Sequence, residues 1–357
     1  MKKSFIFLMM LLLMVSIACF STAEVSSDMP DFMYTILEDG TAEIVRYTGA
    51  DEVLIIPNTL DGLKVTSIGY GAFLDCDTLV NVTIPDGITK IGTRAFFNCS
   101  SLTSVSIPNS VIIIGEESFS NCKTLYDVTI PDGVFSIGNG AFCWCSSLTT
   151  VTIPDSASDI GPNPFYQCEK LEAVVVSPDH PYLATIDGVL FNKSDKRLIC
   201  FPCAYNAKSY IIPDGIQTIG DHAFSGCSYL SSLIIPDSVI TIGNYVFYDC
   251  SSLIQLVIPD SVTSIGKEAF IGCSSMESII IPNSISSIED LAFRACSSLA
   301  AITIPDSITS IGYGAFHECP SLSLVVTPNS YAEQYCREND IQYIYPETID
   351  WLVPCNI

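Results

Sequence analysis

The stretch CSSLTSVSIPNSVIIIGEESFSN, residues 99–121, is one complete unit of a pattern that recurs along most of the chain. Val105 and Ile107 alternate with serines, which is typical of a strand with one buried face. Pro108 ends that strand because proline has no N–H to donate to a neighbouring strand. A second short extended segment follows, and the last six residues predict one helical turn that buries Phe119.

The unit repeats with a period of 23 residues on both sides of an interruption near the middle of the chain. Its consensus is C-x-x-L-x-x-V-x-I-P-D/N-S/G-V-x-x-I-G-x-x-A-F-x-x. One unit cannot bury its apolar face alone, whereas stacked units share a continuous core, so the period predicts a repeat solenoid. The cysteine that opens each unit forms a ladder of ten residues, Cys76, Cys99, Cys122, Cys145, Cys168, Cys227, Cys250, Cys273, Cys296 and Cys319.

The repeat resembles the BspA-like leucine-rich-repeat family over about residues 60–345. The family signature is an L-x-x-L-x-L-P strand followed by I-G-x-x-A-F-x-x-C. The resemblance implies a leucine-rich-repeat right-handed superhelix with a parallel β-sheet on the concave face. Short second strands and single helical turns are then expected on the convex side. It also implies a secreted or surface protein, since several members are adhesins that bind host matrix proteins or other cells.

The N-terminus has the features of an export signal. Lys2 and Lys3 precede an apolar run at residues 5–20, and three small residues follow it, so we expect a signal peptide at 1–23. Lipidation at Cys19 is the alternative, although Ser16 stands where a lipidation motif normally has leucine. The mature protein is therefore expected to be secreted or held at the cell surface.

The ends and the middle of the array depart from the repeat. From Val176 to Ile212 the distance is 36 residues rather than 23, and two apolar runs flank residues 192–196, which predicts an inserted, projecting hairpin. The expected order is a signal peptide at 1–23, an N-terminal β-hairpin cap at 24–60, a first repeat block at 61–176, an island hairpin within one lengthened coil at 177–210, a second block at 211–328, a cap helix and strand at 329–345, and a tail at 346–357.

The charge of the chain restricts its partners. The formal net charge is −24, which disfavours nucleic acid and anionic lipid because both require a basic surface. We expect an extracellular protein or glycan as partner, either host matrix or another cell surface. Membrane contact is expected only through an N-terminal anchor.

The sequence contains no catalytic motif, and we expect no enzyme activity, cofactor or metal. The three histidines lie far apart and are expected at surface or rim positions. An aspartate follows the strand proline in seven coils, which suggests either a row of weak Ca²⁺ sites or turn capping. Asn109 and Asn283 occupy the same position and favour turn capping.

The ladder cysteines are expected to be reduced and buried, each donating a weak S–H bond to the turn that follows. Neighbouring copies would lie about 4.8 Å apart with parallel Cβ vectors, whereas a disulfide needs Cβ atoms roughly 3.8 Å apart. Cys200 and Cys203, in CFPC, have redox-motif spacing but no helix N-terminus to activate them, so a structural disulfide and two idle thiols both remain open.

The outward strand positions carry the best indication of function. The residue before the last apolar strand position is Ser or Thr from Thr83 to Thr152 and Val or Ile from Val175 onward, interrupted only at Thr303. An exposed apolar patch usually marks a contact surface, although high β-propensity would explain the same residues. The expected partner-binding residues are Val175, Ile211, Ile234, Gln255, Val257, Ile280, Leu324 and Val326.

Together these features predict a secreted or cell-surface binding or adhesion protein. It would recognise its partner through the concave face and the island hairpin. The alternatives are a structural envelope-associated repeat protein without a dedicated ligand and, third, an exported enzyme.

Overall fold

The structure is a computed structural model that describes residues 25–26 and 29–346. The expected signal peptide at 1–23, with Cys19, and residues 347–357 of the expected tail lie outside the described residues. The described chain winds into a solenoid of stacked parallel strands, which confirms the predicted repeat architecture. A typical coil contributes one strand to each of two rows and one tight turn to a third row.

The first row contains the strands that end at the repeat proline. They pair in parallel with a step of one repeat, so that Val82 lies opposite Val105. Hydrogen bonding in this row is interrupted before Thr150–Ile153 and again before Ser209–Ile211. The first-row strands are Val53–Ile55, Asn81–Thr83, Ser104–Ser106, Asp127–Val128, Thr150–Ile153, Ala173–Val176, Ser209–Ile211, Ser232–Ile234, Gln255–Val257, Ser278–Ile280, Ala301–Thr303, Ser323–Val325 and Tyr343–Ile344.

The second row contains the shorter strands that end at the isoleucine of the I-G pair. The isoleucine is buried, as Ile91 and Ile114 are, and Leu198 takes its place in Arg197–Cys200; neighbouring strands pair in parallel, with interruptions after Asp159–Ile160 and after Ser264–Ile265. The second-row strands are Leu63–Ile68, Lys90–Ile91, Ile113–Ile114, Ser136–Ile137, Asp159–Ile160, Arg197–Cys200, Thr218–Ile219, Thr241–Ile242, Ser264–Ile265, Ser287–Ile288 and Ser310–Ile311.

The glycine that follows most second-row strands lies where two coils approach closely, and Glu289 takes its place after Ile288. A Cβ atom on Gly115 would lie 2.7 Å from the carbonyl carbon of Gly92 and from the nitrogen of Thr93. Real Cβ atoms do not approach backbone atoms so closely, so any side chain here would push two coils apart. The I-G spacing is therefore a packing requirement of the stack.

The third row consists of tight turns that are also hydrogen-bonded from coil to coil. The Phe96 N–H donates to the carbonyl of Ser118 at 2.7 Å, and the Asn98 N–H donates to that of Ser120 at 2.8 Å. Asn98 has a φ of 60°, a left-handed conformation that turns its N–H toward the next coil. Polar backbone groups of the turns are thereby satisfied.

The core is organised around a stack of phenylalanine rings. Phe96 and Phe119 are fully buried, with ring centroids 5.1 Å apart and an interplanar angle of 2°. Burial of such a ring contributes about 1.5–3 kcal/mol, and each aromatic contact adds about 0.5–1.5 kcal/mol. The two runs of stacked rings are Phe73, Phe96, Phe119, Phe142 and Phe165, and then Phe201, Phe224, Phe247, Phe270, Phe293 and Phe316.

Two antiparallel strands close the N-terminal end of the stack. Phe32–Ile36 and Ala42–Tyr47 pair across the turn at Asp39–Gly40, and the second strand also pairs in parallel with Leu63–Ile68. Val25–Ser26 extends this sheet, and Thr59–Leu60 forms a short antiparallel pair with the start of Leu63–Ile68. The end of the core is thus covered, as a solenoid requires.

The lengthened coil contains three antiparallel strands, Leu183–Ile186, Val189–Asn192 and Arg197–Cys200. The last of these also pairs in parallel with Thr218–Ile219, so it doubles as a second-row strand. The coil has an additional hairpin turn at Asp187–Gly188. An Asp-Gly pair is a hairpin signal, but the prediction used only the apolar runs around residues 192–196.

These strands belong to the core. Leu183, Leu190, Leu198 and Ile199 are fully buried, and Phe201 continues the phenylalanine stack. The expectation of a projecting hairpin is therefore wrong. The hairpin does not project because neighbouring coils cover its strands. Strands that are covered in this way need not alternate apolar with polar residues.

One helix, Tyr331–Glu338, and the strand Tyr343–Ile344 close the C-terminal end. Ser330 is the N-cap, and its Oγ accepts the Glu333 N–H at 3.2 Å. Tyr343–Ile344 pairs in parallel with Ser323–Val325 and thereby covers the last first-row edge. No helix within residues 25–26 and 29–346 is long and apolar enough to cross a membrane.

Candidate functional site

An exposed column of β-branched residues runs along the second half of the first row. Ile211, Ile234, Val257 and Ile280 each occupy the last outward position of a three-residue strand, and we call them the apolar stripe. They point outward because the central residue of each strand points into the core, and side chains alternate along a strand.

The stripe residues are stacked in register. Ile211 pairs with Ile234, and Val257 pairs with Ile280. Their side chains are between 55% and 65% exposed, although isoleucine and valine are usually buried. With strands about 4.8 Å apart, four coils give a continuous apolar ridge roughly 14 Å long.

A shallow depression of about 670 Å³ lies along this ridge. It brings together Ile234, Gln255, Val257 and Ile280, four of the residues predicted from the sequence. One side of the stripe is a neutral column of exposed polar residues, Ser209, Ser232, Gln255 and Ser278.

The other side of the stripe is acidic. Asp237 and Asp260 line the same depression, and Asp214 and Asp306 continue this turn column with exposed side chains. Among residues 29–346, no three histidine, cysteine, aspartate or glutamate residues come together as a metal site. Turn hydrogen bonds come from the adjacent serine instead, since Ser261 Oγ donates to the carbonyl of Val239 at 2.7 Å.

Val175 does not join the stripe. It lies on Ala173–Val176, which pairs with Thr150–Ile153 on one side. On its other side the N–H of Val174 donates to the carbonyl of Gly188 at 3.0 Å, so the island turn stands between Val175 and Ile211. Val175 is exposed, but it is separated from the other stripe residues.

Leu324 and Val326 are not outward residues, so these two predictions are wrong. Both are buried, at 0% and 1% exposure. The strand of the last coil slips by one residue, so that Thr303 lies opposite Val325, 22 residues later, although Pro305 and Pro328 keep the 23-residue spacing. A shift of one residue moves every side chain of a strand to the opposite face.

Sequence reasoning missed an exposed apolar pair at the other end of the first row. Val53 and Ile55 are 66% and 71% exposed, and Ile55 lies opposite Thr83. The step between these two residues is 28, because the first coil includes the short pair at Thr59–Leu60. A search at a fixed period of 23 could not find it.

The cysteine ladder lies inside the stack. Cys99 Sγ donates to the carbonyl of Phe73 at 3.1 Å, and Cys122 Sγ donates in the same way to Phe96 at 3.2 Å. The acceptor therefore lies in the preceding coil. The expectation of an acceptor in the turn that follows the cysteine is wrong. Burial raises the pKa of the Cys122 thiol above its ordinary value, which keeps it protonated and unreactive.

The CFPC segment contributes a different contact. Cys203 Sγ lies 3.7 Å from Cys227 Sγ, and it also lies 3.4 Å from the carbonyl oxygen of Ser225. Cys200 and Cys203 are both buried in the island coil. Cys203 Sγ thus contacts the thiol of a ladder cysteine, Cys227.

One of the three histidines, His180, differs from the surface or rim positions expected for them. His180 is fully buried, and its Nδ1 accepts the Leu183 N–H at 3.1 Å, while Nε2 lies 3.1 Å from the carbonyl oxygen of Pro154. His222 is half-buried in a ring stack, and only His317 is well exposed. The buried histidine has a structural role, because both of its nitrogens are engaged by backbone groups.

Comparison with known proteins identifies a family for the repeat. The model of the BspA type leucine rich repeat region matches residues 55–196 and 198–331, in six copies. A crystal structure of a leucine rich cell surface protein from Faecalibacterium prausnitzii is similar, with 30% identity and a TM-score of 0.57, covering 85% of this chain and 95% of that one. No curated protein matches the chain significantly.

Two further solved structures share the fold. A leucine-rich repeat protein from Eubacterium ventriosum has 24% identity and a TM-score of 0.65, covering 85% of each chain. The pneumococcal vaccine antigen PcpA has 21% identity and a TM-score of 0.60, covering 91% of this chain and 98% of that one. At these identities the likeness concerns the solenoid alone.

Proposed function

The chain belongs to the BspA type leucine-rich-repeat family, and we propose that it is a binding protein of the cell exterior. Its partner would be an extracellular protein, contacted through the apolar stripe and the acidic turn column beside it. The protein is secreted or held at the cell surface, and its role is recognition rather than catalysis.

The exposure of the apolar stripe is the observation that carries this proposal. Four β-branched side chains in consecutive coils cost solubility and are not needed for strand formation, since Thr83, Thr129 and Thr303 occupy the same column elsewhere. A contiguous exposed apolar patch with a polar rim is typical of a protein–protein contact. A partner that covers the apolar stripe would remove this apolar surface from water, which favours binding.

The charge of the residues beside the apolar stripe determines which kind of partner it favours. Asp237 and Asp260 beside the stripe favour a partner with lysine or arginine next to an apolar strip. The net charge of −24 would repel nucleic acid and anionic membranes from this surface. A basic or neutral extracellular protein is therefore the partner that this charge favours.

The proposed location has independent support. The N-terminal sequence has the layout of a signal peptide, with two lysines before the apolar run at 5–20. The similar protein from Faecalibacterium prausnitzii is described as a cell surface protein. An exported protein would present the apolar stripe directly to the outside.

The proposal can be tested on immobilised fibronectin, fibrinogen, laminin and collagen by surface plasmon resonance. Residues 24–357 should bind at least one of them, and Ile234→Thr with Ile280→Thr should weaken that binding by about tenfold or more. Threonine is the matched replacement because it already occupies this column in other coils. Thr129→Ser, in the same column outside the stripe, should leave binding unchanged.

Full-strength binding by the threonine variant would rule out the stripe as the contact. Failure of the intact protein to bind any of the four would instead favour the structural, envelope-associated role. Deletion of residues 183–207 is not a useful test of the island, because Leu183, Leu190 and Phe201 belong to the core. Substitutions at the exposed turn Lys193–Lys196 test the island without removing it.

A further inference from the structure

A second surface feature lies in the third row, at the point where the island interrupts the repeat. In a regular coil Ile219 and Phe224 are five residues apart, but their counterparts in the island coil, Leu198 and Phe201, are three apart. The island coil therefore lacks two residues of its outer turn. The outer turns on either side of it come into direct contact.

That contact is made by hydrogen bonds between residues far apart in sequence. Asn163 Nδ2 donates to the carbonyl of His222 at 2.9 Å, and the Gln167 N–H donates to the carbonyl of Ser225 at 3.2 Å. The side chain of Gln167 reaches the same serine, with Nε2 lying 3.3 Å from Ser225 Oγ. Gln167 and Ser225 are both buried.

Three aromatic rings stack across this junction. Tyr166 and His222 have centroids 4.3 Å apart with an interplanar angle of 15°. His222 and Tyr245 follow at 4.7 Å and 1°. Tyr248 lies at 54° to Tyr245, with a centroid distance of 6.4 Å.

A cleft of about 170 Å³ lies beside this stack, and we call it the aromatic cleft. Trp144 and Tyr248 line it together with the three stacked rings, and Gln167 and Ser225 supply its polar groups. Trp144 is 40% exposed, an unusual position for so large an aromatic residue. A second depression of about 480 Å³ shares Trp144 and Tyr166 with the cleft and continues along the same face.

The chemistry of the cleft suits a sugar ring. A pyranose has apolar C–H faces, which pack against aromatic rings, and a rim of hydroxyl groups, which need donors and acceptors. The aromatic rings satisfy the first requirement; for the second, Ser225 Oγ accepts from Gln167 Nε2 and retains its own O–H to donate, and the side-chain carbonyl oxygen of Gln167 is an acceptor. Its volume fits one six-membered ring, since a cavity of about 150 Å³ accommodates benzene.

Charged ligands fit less well. A cation is favoured by carboxylates as well as by ring faces, and none of the residues that line the aromatic cleft is acidic. An anion would be repelled by a chain of net charge −24. A neutral sugar ring is therefore the ligand that best fits the aromatic cleft.

We propose that the aromatic cleft binds one pyranose unit of a neutral oligosaccharide, with Trp144 and Tyr248 against the sugar ring. Gln167 and Ser225 hydrogen-bond its hydroxyl groups, and the adjoining depression accepts the next unit of the same chain. This site is separate from the apolar stripe and does not depend on it.

The test begins with an array of neutral oligosaccharides built from glucose, galactose, mannose and N-acetylhexosamines. The full chain should bind a subset of them, and the bound oligosaccharide is then titrated in solution. The chain has two tryptophans, so Trp351→Phe leaves Trp144 as the only one. Its fluorescence should change saturably as the oligosaccharide is added.

Two replacements remove the cleft without disturbing the turn. Trp144→Asn introduces the residue that Asn98 and Asn121 already provide at this left-handed position, and Tyr248→Ser introduces the residue that Ser225 provides at the same position of the preceding coil. Each should weaken the oligosaccharide by about tenfold or more. Tyr313→Asn, at an exposed tyrosine outside the cleft, is the control and should bind normally.

Undiminished binding by Trp144→Asn, or an unchanged fluorescence signal at saturation, would overturn the proposal. So would an array on which the folded chain binds no neutral oligosaccharide. A Tyr248→Ser variant that loses binding of a protein but of no sugar would assign the cleft to a peptide instead.

Discussion

At the scale of single residues, the ladder cysteine ties neighbouring coils together. The carbonyl of Phe73 accepts the N–H of Cys76 from its own turn at 3.3 Å and the Sγ of Cys99 from the next coil at 3.1 Å. A carbonyl oxygen has two lone pairs, so the thiol uses the one that the turn leaves free. The cysteine is thus a small apolar residue whose weak S–H donor bonds to the preceding coil.

The first prediction concerns thiol reactivity. Burial raises the pKa of Cys76 to about 12 and that of Cys319 to about 11, and these are the two half-buried ends of the ladder. Ladder thiols should therefore react very slowly with Ellman's reagent at pH 8 in the native protein. In denaturant at least ten should titrate, and a smaller number would show that ladder cysteines are bridged.

The second prediction concerns the glycine of the I-G pair. Gly115→Ala should lower the free energy of unfolding by about 1–3 kcal/mol, because its Cβ would collide with the backbone of the preceding coil. Denaturant unfolding measures the change. Glu116→Ala, at the next residue, is the control and should stay within about 0.5 kcal/mol of the original protein. Equal stabilities for the two variants would contradict the close-approach argument.

At the scale of the structural elements, register decides which residues are exposed. The fixed period located Ile211, Ile234, Val257 and Ile280 correctly on the outward face, because within a regular block each coil repeats the same alternation. It failed at Val326, since a slip of one residue in the register of the last strand is enough to invert its faces. Leu322 and Pro328 keep the 23-residue spacing on either side of the strand, so the repeat period does not reveal this slip.

The aromatic cleft could not be predicted from the sequence. It depends on a contact between the turn at Gln167 and the turn at Ser225, 58 residues apart. That contact exists because the island coil lacks two residues in its third-row turn, although the coil as a whole is longer than the others. The repeat pattern predicts the length of a coil but not which of its rows loses or gains residues.

The third prediction concerns the ring stack at this junction. Burial lowers the pKa of His222 to about 4, below its ordinary value of 6.5, although Asp221 opposes the shift. Between these two pH values the unfolded chain binds a proton that the folded chain does not, so stability falls as the pH is lowered through this window.

His222→Tyr should reduce that loss, because tyrosine does not titrate there and already occupies the same position as Tyr245 in the next coil. Chemical denaturation at pH 7 and at pH 4.5 provides the measurement. The difference in unfolding free energy between the two pH values should be smaller in the variant. A difference equal to that of the original protein would show that His222 is not protonated on unfolding.

At the scale of the whole molecule, the solenoid separates stability from recognition. The phenylalanine stack and the hydrogen-bonded rows hold the coils together, whereas the residues chosen for substitution in the two proposed surfaces, Ile234, Ile280, Trp144 and Tyr248, lie outside the core. The apolar stripe lies on the first row and the aromatic cleft on the third. Substitutions in either surface should therefore change binding without changing the fold.

The most direct test of recognition through the apolar stripe uses a single exposed cysteine. Ile234→Cys places it on the stripe, and Thr129→Cys places it in the same column of the first block. The native thiols within residues 29–346 are buried or have raised pKa values, and Cys355, which lies outside the described residues, is replaced by serine in both variants, so maleimide-linked polyethylene glycol should label the new cysteine selectively. Each labelled protein is then tested on the matrix protein that the original chain binds. We predict that the label on Ile234→Cys abolishes binding and the label on Thr129→Cys does not, whereas binding by labelled Ile234→Cys at full strength would contradict the assignment.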